Sequence, residues 1–196
     1  MNMDFLYFAL LGLAYISGSI SSAVLVCKVF TLPDPRVVGS NNPGATNVLR
    51  IGGKRAALAT LLGDIAKTAL PIIMGIWFGY STVELLWVGA SALFGHCFPL
   101  FFGLKGGKGV ACLMTLVILA VPEYGLLTLG IWLLTAWTFK RSSVASLMTA
   151  ITLPVFAYQF HPSFLLPLAC VSGIVLIRHR SNIVQIISGN EPIIGN

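Results

Sequence analysis

The sequence predicts an all-α integral membrane protein. It reads as a seven-span helical bundle with short or broken spans, the N-terminus outside and the C-terminus cytoplasmic. Three observations predict this. The chain is 57% hydrophobic and 9% charged, against about 25% charged residues in a typical globular chain. Long apolar runs alternate with short polar joints. Of the twelve Lys and Arg residues, all but Lys67 occupy every second joint: Lys28 to Arg55, Lys105 and Lys108, Lys140 and Arg141, Arg178 and Arg180. The joints between, around Tyr80-Ser81-Thr82, Pro122-Glu123-Tyr124 and His161-Pro162-Ser163, carry none. That is the positive-inside pattern. A transmembrane barrel would instead show strict alternation of apolar and polar residues.

The expected spans are 4–29, 55–79, 83–102, 109–121, 124–139, 143–160 and 163–178. The first lacks a basic leader and is long enough to cross, so it reads as a span rather than a signal peptide. The fourth is short for a crossing of about 20 residues. Lys108 and Lys140 belong on one side, so the chain between them must go in and return. Two short tilted helices or a hairpin turning near Pro122 both achieve this. The tail 183–196 is too short to fold alone, and Ile183 to Ile187 are expected along the interface. The whole of 1–196 reads as one polytopic membrane domain. The net charge of +6 sits in membrane joints and needs no nucleic-acid partner. The four isolated cysteines make no C-x-x-C, so neither a zinc site nor a redox pair is indicated.

The polar joints carry the chemistry. Val38-Gly39-Ser40-Asn41-Asn42-Pro43-Gly44-Ala45-Thr46-Asn47-Val48-Leu49-Arg50 concentrates glycines, hydroxyls, amides and an arginine. Glycine lets backbone N–H groups converge on an anion, and Arg offers phosphate a bidentate fork. An ordinary Asx and Pro-Gly turn fits the same residues. Gly103-Leu104-Lys105-Gly106-Gly107-Lys108-Gly109 resembles a glycine loop opening a helix, an anion site in its own right. It is not a nucleotide P-loop, because Gly109 rather than Ser or Thr follows Lys108. A flexible topogenic loop is the plainer reading. Lys140-Arg141-Ser142-Ser143 stands at a helix start. Arg178-His179-Arg180-Ser181-Asn182 follows the last span, with His179 and Asn182 on one face if the helix continues. Asp64 and Lys67 form an expected structural ion pair inside the second span, and His96 reads as a helix–helix hydrogen-bonding residue.

Together these segments resemble the bacterial acyl-phosphate–glycerol-3-phosphate acyltransferase family, the PlsY type. The matching stretches are Gly18-Ser19-Ile20-Ser21-Ser22, Gly39-Ser40 with Asn42 to Val48 and Arg50, Gly95-His96 with Pro99 and Phe101 to Gly109, and Arg178-His179-Arg180 with Asn182-Ile183. The resemblance implies acyl transfer from acyl phosphate to the sn-1 hydroxyl of glycerol 3-phosphate, giving lysophosphatidic acid for bacterial phospholipid synthesis. It implies catalytic roles for His179, Asn182 and Ser143. It implies phosphate or substrate binding by Ser40, Asn42, Gly44, Asn47, Arg50 and Lys108. Asn41 departs from the family's usual glycine, and is expected to tolerate the left-handed conformation.

An acyl phosphate is a mixed anhydride, already activated, so no covalent nucleophile is required. Proton transfer to a substrate phosphate is favoured over His179 as base, because the polar loops hold no Asp or Glu that faces the site. The acyl chain is expected between spans near the small residues Gly18, Ser19, Ser21 and Ser22. No cofactor or metal is expected. The expected partners are the two substrates, membrane lipids and the enzyme that makes acyl phosphate. The expected location is the bacterial inner membrane, with the active site on the cytoplasmic face. A small anion transporter or channel with a basic mouth is the competing class, and it predicts polar or broken segments at the midplane. An acyl-CoA enzyme of the His-x-x-x-x-Asp type is disfavoured, since no His here has an Asp five residues on.

Overall fold

The structure, a computed structural model, describes residues 3–194 and contains helices without a strand among them. The helices run α1 Met3–Gly18, α2 Ser22–Val29, α3 Ala45–Trp77, α4 Thr82–Cys97, α5 Val110–Ala120, α6 Pro122–Phe139, α7 Ser142–Phe160, α8 Leu165–Arg178 and α9 Arg180–Ile187. Four stretches are long and apolar enough to cross a membrane: Asp4–Val29, Ala45–Trp77, Thr82–Phe102 and Ser142–Phe160. A fifth is possible if Pro162–Arg178 and Arg180–Ile187, bent by 57°, count as one span. The expected count of seven is therefore not met by length and hydropathy alone.

Local chemistry explains the breaks. The first expected span divides at Ser19-Ile20-Ser21, so α1 and α2 are separate helices. α3 starts ten residues before the expected position 55, then kinks at Gly53, whose φ of 74° is left-handed. Gly79 ends α3 at φ 77°. The next helix opens with a capping box, in which Ser81 and Glu84 satisfy each other's backbone N–H groups. α5 stops at Val121 because Pro122 cannot continue it, and Pro122 then opens α6. Residues 109–139 are thus a two-helix hairpin turning beside Pro122. At about 1.5 Å per residue, the 11-residue α5 is about 16 Å long, roughly half a bilayer core.

α4 is the central helix. Leu86, Ala92, Leu93 and Cys97 on it are fully enclosed, together with Leu113 and Leu116 of α5 and Leu168, Val171 and Val175 of α8. α1 packs against α4 through small residues. A Cβ at Gly18 would stand 2.8 Å from the Ala92 carbonyl carbon, and one at Gly95 3.0 Å from the Ser19 nitrogen. Gly63 of α3 meets Ser22 in the same way. The small residues of the first span therefore serve helix packing, and Gly18, Ser19, Ser21 and Ser22 do not line the cavity described below. Exposed Phe8, Leu62, Ile73, Leu126, Trp137 and Leu166 form the outer surface, suited to contact with lipid.

Candidate active site

The joint before α3 is shaped by one amide. Asn47 is buried, and its Oδ1 accepts the Ser40 N–H at 2.9 Å. Its Nδ2 donates to the carbonyls of Pro35 at 2.9 Å and Val38 at 3.0 Å. Gly39, at φ 64°, leaves the space that Asn47 fills. Asn41 takes the left-handed conformation expected of it, φ 56°. Asn47 does not border the cavity described below. It holds the loop that does.

The glycine loop before α5 is pressed against the end of α4. The Gly107 N–H donates to the His96 carbonyl at 3.1 Å. A side chain at Gly106 or Gly107 would collide with His96 and Cys97. From the other side Arg178 donates to the Gly106 carbonyl at 2.6 Å and the Gly107 carbonyl at 3.0 Å. Arg178 is thus a clamp on the loop that presents Lys108. Below it, His96 Nδ1 lies 2.8 Å from Lys67 Nζ, and Lys67 pairs with Asp64 at 2.9 Å. The expected ion pair is present, and His96 joins it across α3 and α4.

Lys108 Nζ donates to Asn182 Oδ1 at 2.6 Å. Burial, aided by the nearby Arg178 and Arg50 charges, holds the Lys108 amine below its ordinary pKa against the opposing pull of Glu191. His179 sits at the bend between α8 and α9, outside both helices. Its Nδ1 lies 2.8 Å from the Val175 carbonyl, so Nδ1 carries the proton and Nε2 keeps its lone pair. Burial brings the imidazole down to about 4, with Lys108 and Arg178 acting in the same direction, so it is neutral near pH 7.

These groups border one cavity of about 1120 Å³. Ser40, Asn42, Gly44, Arg50, Lys108, Ser143, His179 and Asn182 all line it, so eight of the nine expected site residues meet there. A smaller hollow of about 410 Å³ adjoins the polar end, sharing Ser40, Asn41, Asn42, Lys108 and Ser181. Away from that end the wall becomes apolar. α5 contributes Ala111, Met114, Ile118 and Leu119, α3 contributes Leu61, Ile65 and Ala69, and α6 contributes Leu129 and Trp132. The α5 residues follow the period of one helix face.

Four helices start at the polar end. The first turns of α3 (Gly44 to Thr46), α5 (Gly109 to Ala111), α7 (Ser142, Ser143) and α9 (Ser181, Asn182) all face the cavity. None of the four has a side-chain cap, whereas α4 has a full capping box. Uncapped N–H groups and the positive ends of helix dipoles favour anions. The first turn of α3 was not expected, because its start was read as loop.

Glu191 is the residue sequence reasoning missed. It is buried, lines the cavity, and accepts from Asn182 Nδ2 at 2.8 Å. The expectation that no acidic residue faces the site is thereby corrected. A signal was present: Gly189 followed by Pro192 ends a helix and turns the chain, and Gly189 adopts φ 76°.

A cationic mouth continuous with an apolar groove, set in a helical membrane body, defines an enzyme for amphiphilic phosphorylated molecules. A family profile described as glycerol-3-phosphate acyltransferase matches residues 8–189. The glycerol-3-phosphate acyltransferase of Vibrio campbellii is 45% identical over 197 residues, covering 98% of this chain and 95% of the relative. That of Pseudomonas aeruginosa is 45% identical over 180 residues, covering 91% and 95%. A crystal structure of PlsY, an integral membrane glycerol 3-phosphate acyltransferase, in its glycerol 3-phosphate form matches with a TM-score of 0.89 at 31% identity, covering 96% of each chain. Its lysophosphatidic acid form matches with a TM-score of 0.84 at 30% identity, covering 95% and 94%. The chain belongs to the glycerol-3-phosphate acyltransferase family.

Proposed function

We propose that this protein transfers a fatty acyl group from acyl phosphate to the sn-1 hydroxyl of glycerol 3-phosphate, releasing lysophosphatidic acid and phosphate. The continuity of the cationic mouth with the apolar groove carries this reading. Both substrates bear phosphate, and one bears a long apolar chain. The related PlsY crystal forms, with glycerol 3-phosphate and with lysophosphatidic acid, support the acceptor and the product.

The hydroxyl oxygen attacks the acyl carbonyl carbon and forms the ester bond. The bond from that carbon to the phosphate oxygen breaks, and phosphate leaves. The hydroxyl proton passes to a substrate phosphate oxygen, with His179 Nε2 placed to accept a hydrogen bond from the hydroxyl and orient it. Arg50 and Lys108 hold phosphate, and Asn182 fixes the Lys108 amine. Ser40, Asn42, Gly44 and Ser143 complete the polar wall. Positioning and charge stabilisation supply the acceleration. No residue is used as a covalent nucleophile, and no cofactor enters the scheme.

The same reading treats 1–196 as one domain making seven passes in a bacterial inner membrane, with α1 and α2 together as the first and the short α5 as the fourth. The N-terminus is outside, and the C-terminus and active site face the cytoplasm. The basic joints that flank the cavity mouth support this orientation. Functional coupling to the enzyme that makes acyl phosphate belongs to the same proposal.

The test is incorporation of radiolabelled glycerol 3-phosphate by purified protein given palmitoyl phosphate or palmitoyl-CoA. Lysophosphatidic acid is expected from the acyl phosphate alone, and not from the folded Arg50→Ala variant. Product from palmitoyl-CoA alone would overturn the donor, and no product from either would overturn the enzyme reading.

A further inference from the structure

We infer that the smaller hollow beside Lys108 is a vestibule for a phosphate dianion arriving from water, and that Arg180 on its rim captures glycerol 3-phosphate there. This rests on the acyltransferase reading above and adds a waiting site and a capture residue to it.

The hollow of about 410 Å³ differs from the larger cavity in its charge. Arg178, Arg180 and Lys108 border it, and no carboxylate does. The larger cavity sets Asp64 and Glu191 against its cations. Arg178 is near enough for its charge to act on the Lys108 amine. Like charges gathered without a counter-charge repel one another, so an anion in the hollow is favoured by all three.

Two of the three cations are already engaged. Arg178 donates from Nε and Nη2 to the Gly107 and Gly106 carbonyls, and its Cζ lies 5.5 Å from the centre of the Phe98 ring. Lys108 donates to Asn182. The Arg180 side chain makes neither a hydrogen bond nor an ion pair among the described residues, and it is exposed. It is also the first residue of α9, where the positive end of the helix dipole disfavours a cation. Helix stability therefore does not explain its charge. Membrane orientation asks for cations on this side of the bilayer, and is indifferent to whether one stands on the rim of a hollow that leads to Lys108.

Location separates the two substrates. None of the α3, α5 or α6 residues of the apolar wall borders the hollow. Ser40, Asn42 and Lys108 border both spaces, so the hollow opens onto the phosphate-binding end. An acyl phosphate is drawn to that end along the apolar wall by its chain. Glycerol 3-phosphate has no chain and must come from water. A cleft lined by one sign of charge focuses the field and raises the local concentration of the opposite ion. Inorganic phosphate leaving the reaction is the other dianion of this chemistry, and the test tells the two apart.

The test is steady-state acylation by purified protein in neutral detergent, at low and high salt, for wild type, Arg180→Lys, Arg180→Gln and Arg180→Glu. Glycerol 3-phosphate is varied at saturating palmitoyl phosphate, and then the reverse. In Arg180→Gln the kcat/KM for glycerol 3-phosphate is expected to fall about 3- to 10-fold with kcat kept, because a rim charge acts on the encounter. Arg180→Glu should fall further, and Arg180→Lys should stay near wild type. Added salt should bring wild type toward Arg180→Gln, since exposed charges are screened. The KM for palmitoyl phosphate is expected to be the same throughout. A strut or a lipid anchor does not produce a loss confined to one substrate and erased by salt. Equal kcat/KM for glycerol 3-phosphate in wild type and Arg180→Glu would overturn the inference, and so would a parallel loss with both substrates. Weaker inhibition by added inorganic phosphate, with glycerol 3-phosphate unaffected, would make the hollow an exit and end the capture role. If wild type makes no product from glycerol 3-phosphate, it is the acyltransferase reading that fails.

Discussion

Replacing Gly107 by Ala tests whether the contact between the glycine loop and α4 sets the reaction geometry. A Cβ there would lie 2.6 Å from His96 Cε1 and nearer still to Nε2. Ordinary contact begins near 3.4 Å, so ring and loop must separate by at least the difference, 0.8 Å. His96 does not yield freely, because its Nδ1 is 2.8 Å from Lys67 and 3.5 Å from Asp64. Breaking a buried charged network costs about 3–5 kcal/mol, so the loop is the softer partner. Its shift displaces Lys108, the next residue. A misplacement of about 1 Å in a positioning group costs roughly 10²-fold in rate. We expect Gly107→Ala to fold, with kcat down by about that factor. Gly103→Ala, which meets nothing within 4 Å, is the control for loop glycines, and it carries only the strain of its φ of 64°. Acylation of radiolabelled glycerol 3-phosphate in detergent, beside thermal melts of both variants, separates rate from stability. Full turnover in a folded Gly107→Ala enzyme would refute the argument.

Four further outcomes follow from named residues. Asn47→Ala removes three hydrogen bonds to the loop; at about 1 kcal/mol each, it is expected to lower the melting temperature and raise substrate KM, whereas Asn47→Asp, which keeps the acceptor for Ser40, should do less harm. Lys67→Ala leaves Asp64 buried without its 2.9 Å partner, and a loss of about 3–5 kcal/mol should appear in chemical denaturation. A lysine holds phosphate only below its pKa, and that of Lys108 is lowered; substrate KM should therefore climb on the alkaline side before pH 10.5, and Lys108→Arg should remove that rise. His179, brought down to about 4, should add no acidic limb near pH 6.5 to the rate profile.

Much of this molecule was legible because lipid punishes ambiguity. Residues 124–139, 143–160 and 163–178 match α6, α7 and α8 to within two residues, since each run is closed by Pro, Lys-Arg or an Arg-rich joint. The start of α3 was not legible. Residues 45 to 55 are rich in Gly, Arg and Lys, and they read as a joint. Only the buried Asn47 and Val48 show that this turn packs as helix. The site loops were visible as motifs, but spacing could not say that Asn47 turns inward to hold its own loop. For Glu191 the Gly189 and Pro192 signal says only that the chain turns; its return to Arg141 and Asn182, fifty and nine residues away, is encoded by no local pattern. The small residues of the first span signal close helix approach, and a cavity needs the opposite, so they pack away from the one that forms.

The four uncapped helix starts around the cavity have a consequence for how this enzyme resists change. Charge that comes from the backbone does not titrate, and no side-chain exchange deletes it. Replacement of Lys108 or Ser143 alone still leaves the helix-start N–H groups around the polar end of the cavity. Damage should therefore be graded for such point replacements and abrupt where the main chain itself is altered. A proline placed one turn into α5 or α7, or a one-residue insertion before Gly109, would unseat several donors together. In a survey of many variants, intolerance should track the register of these helix starts more closely than the positions of the cations.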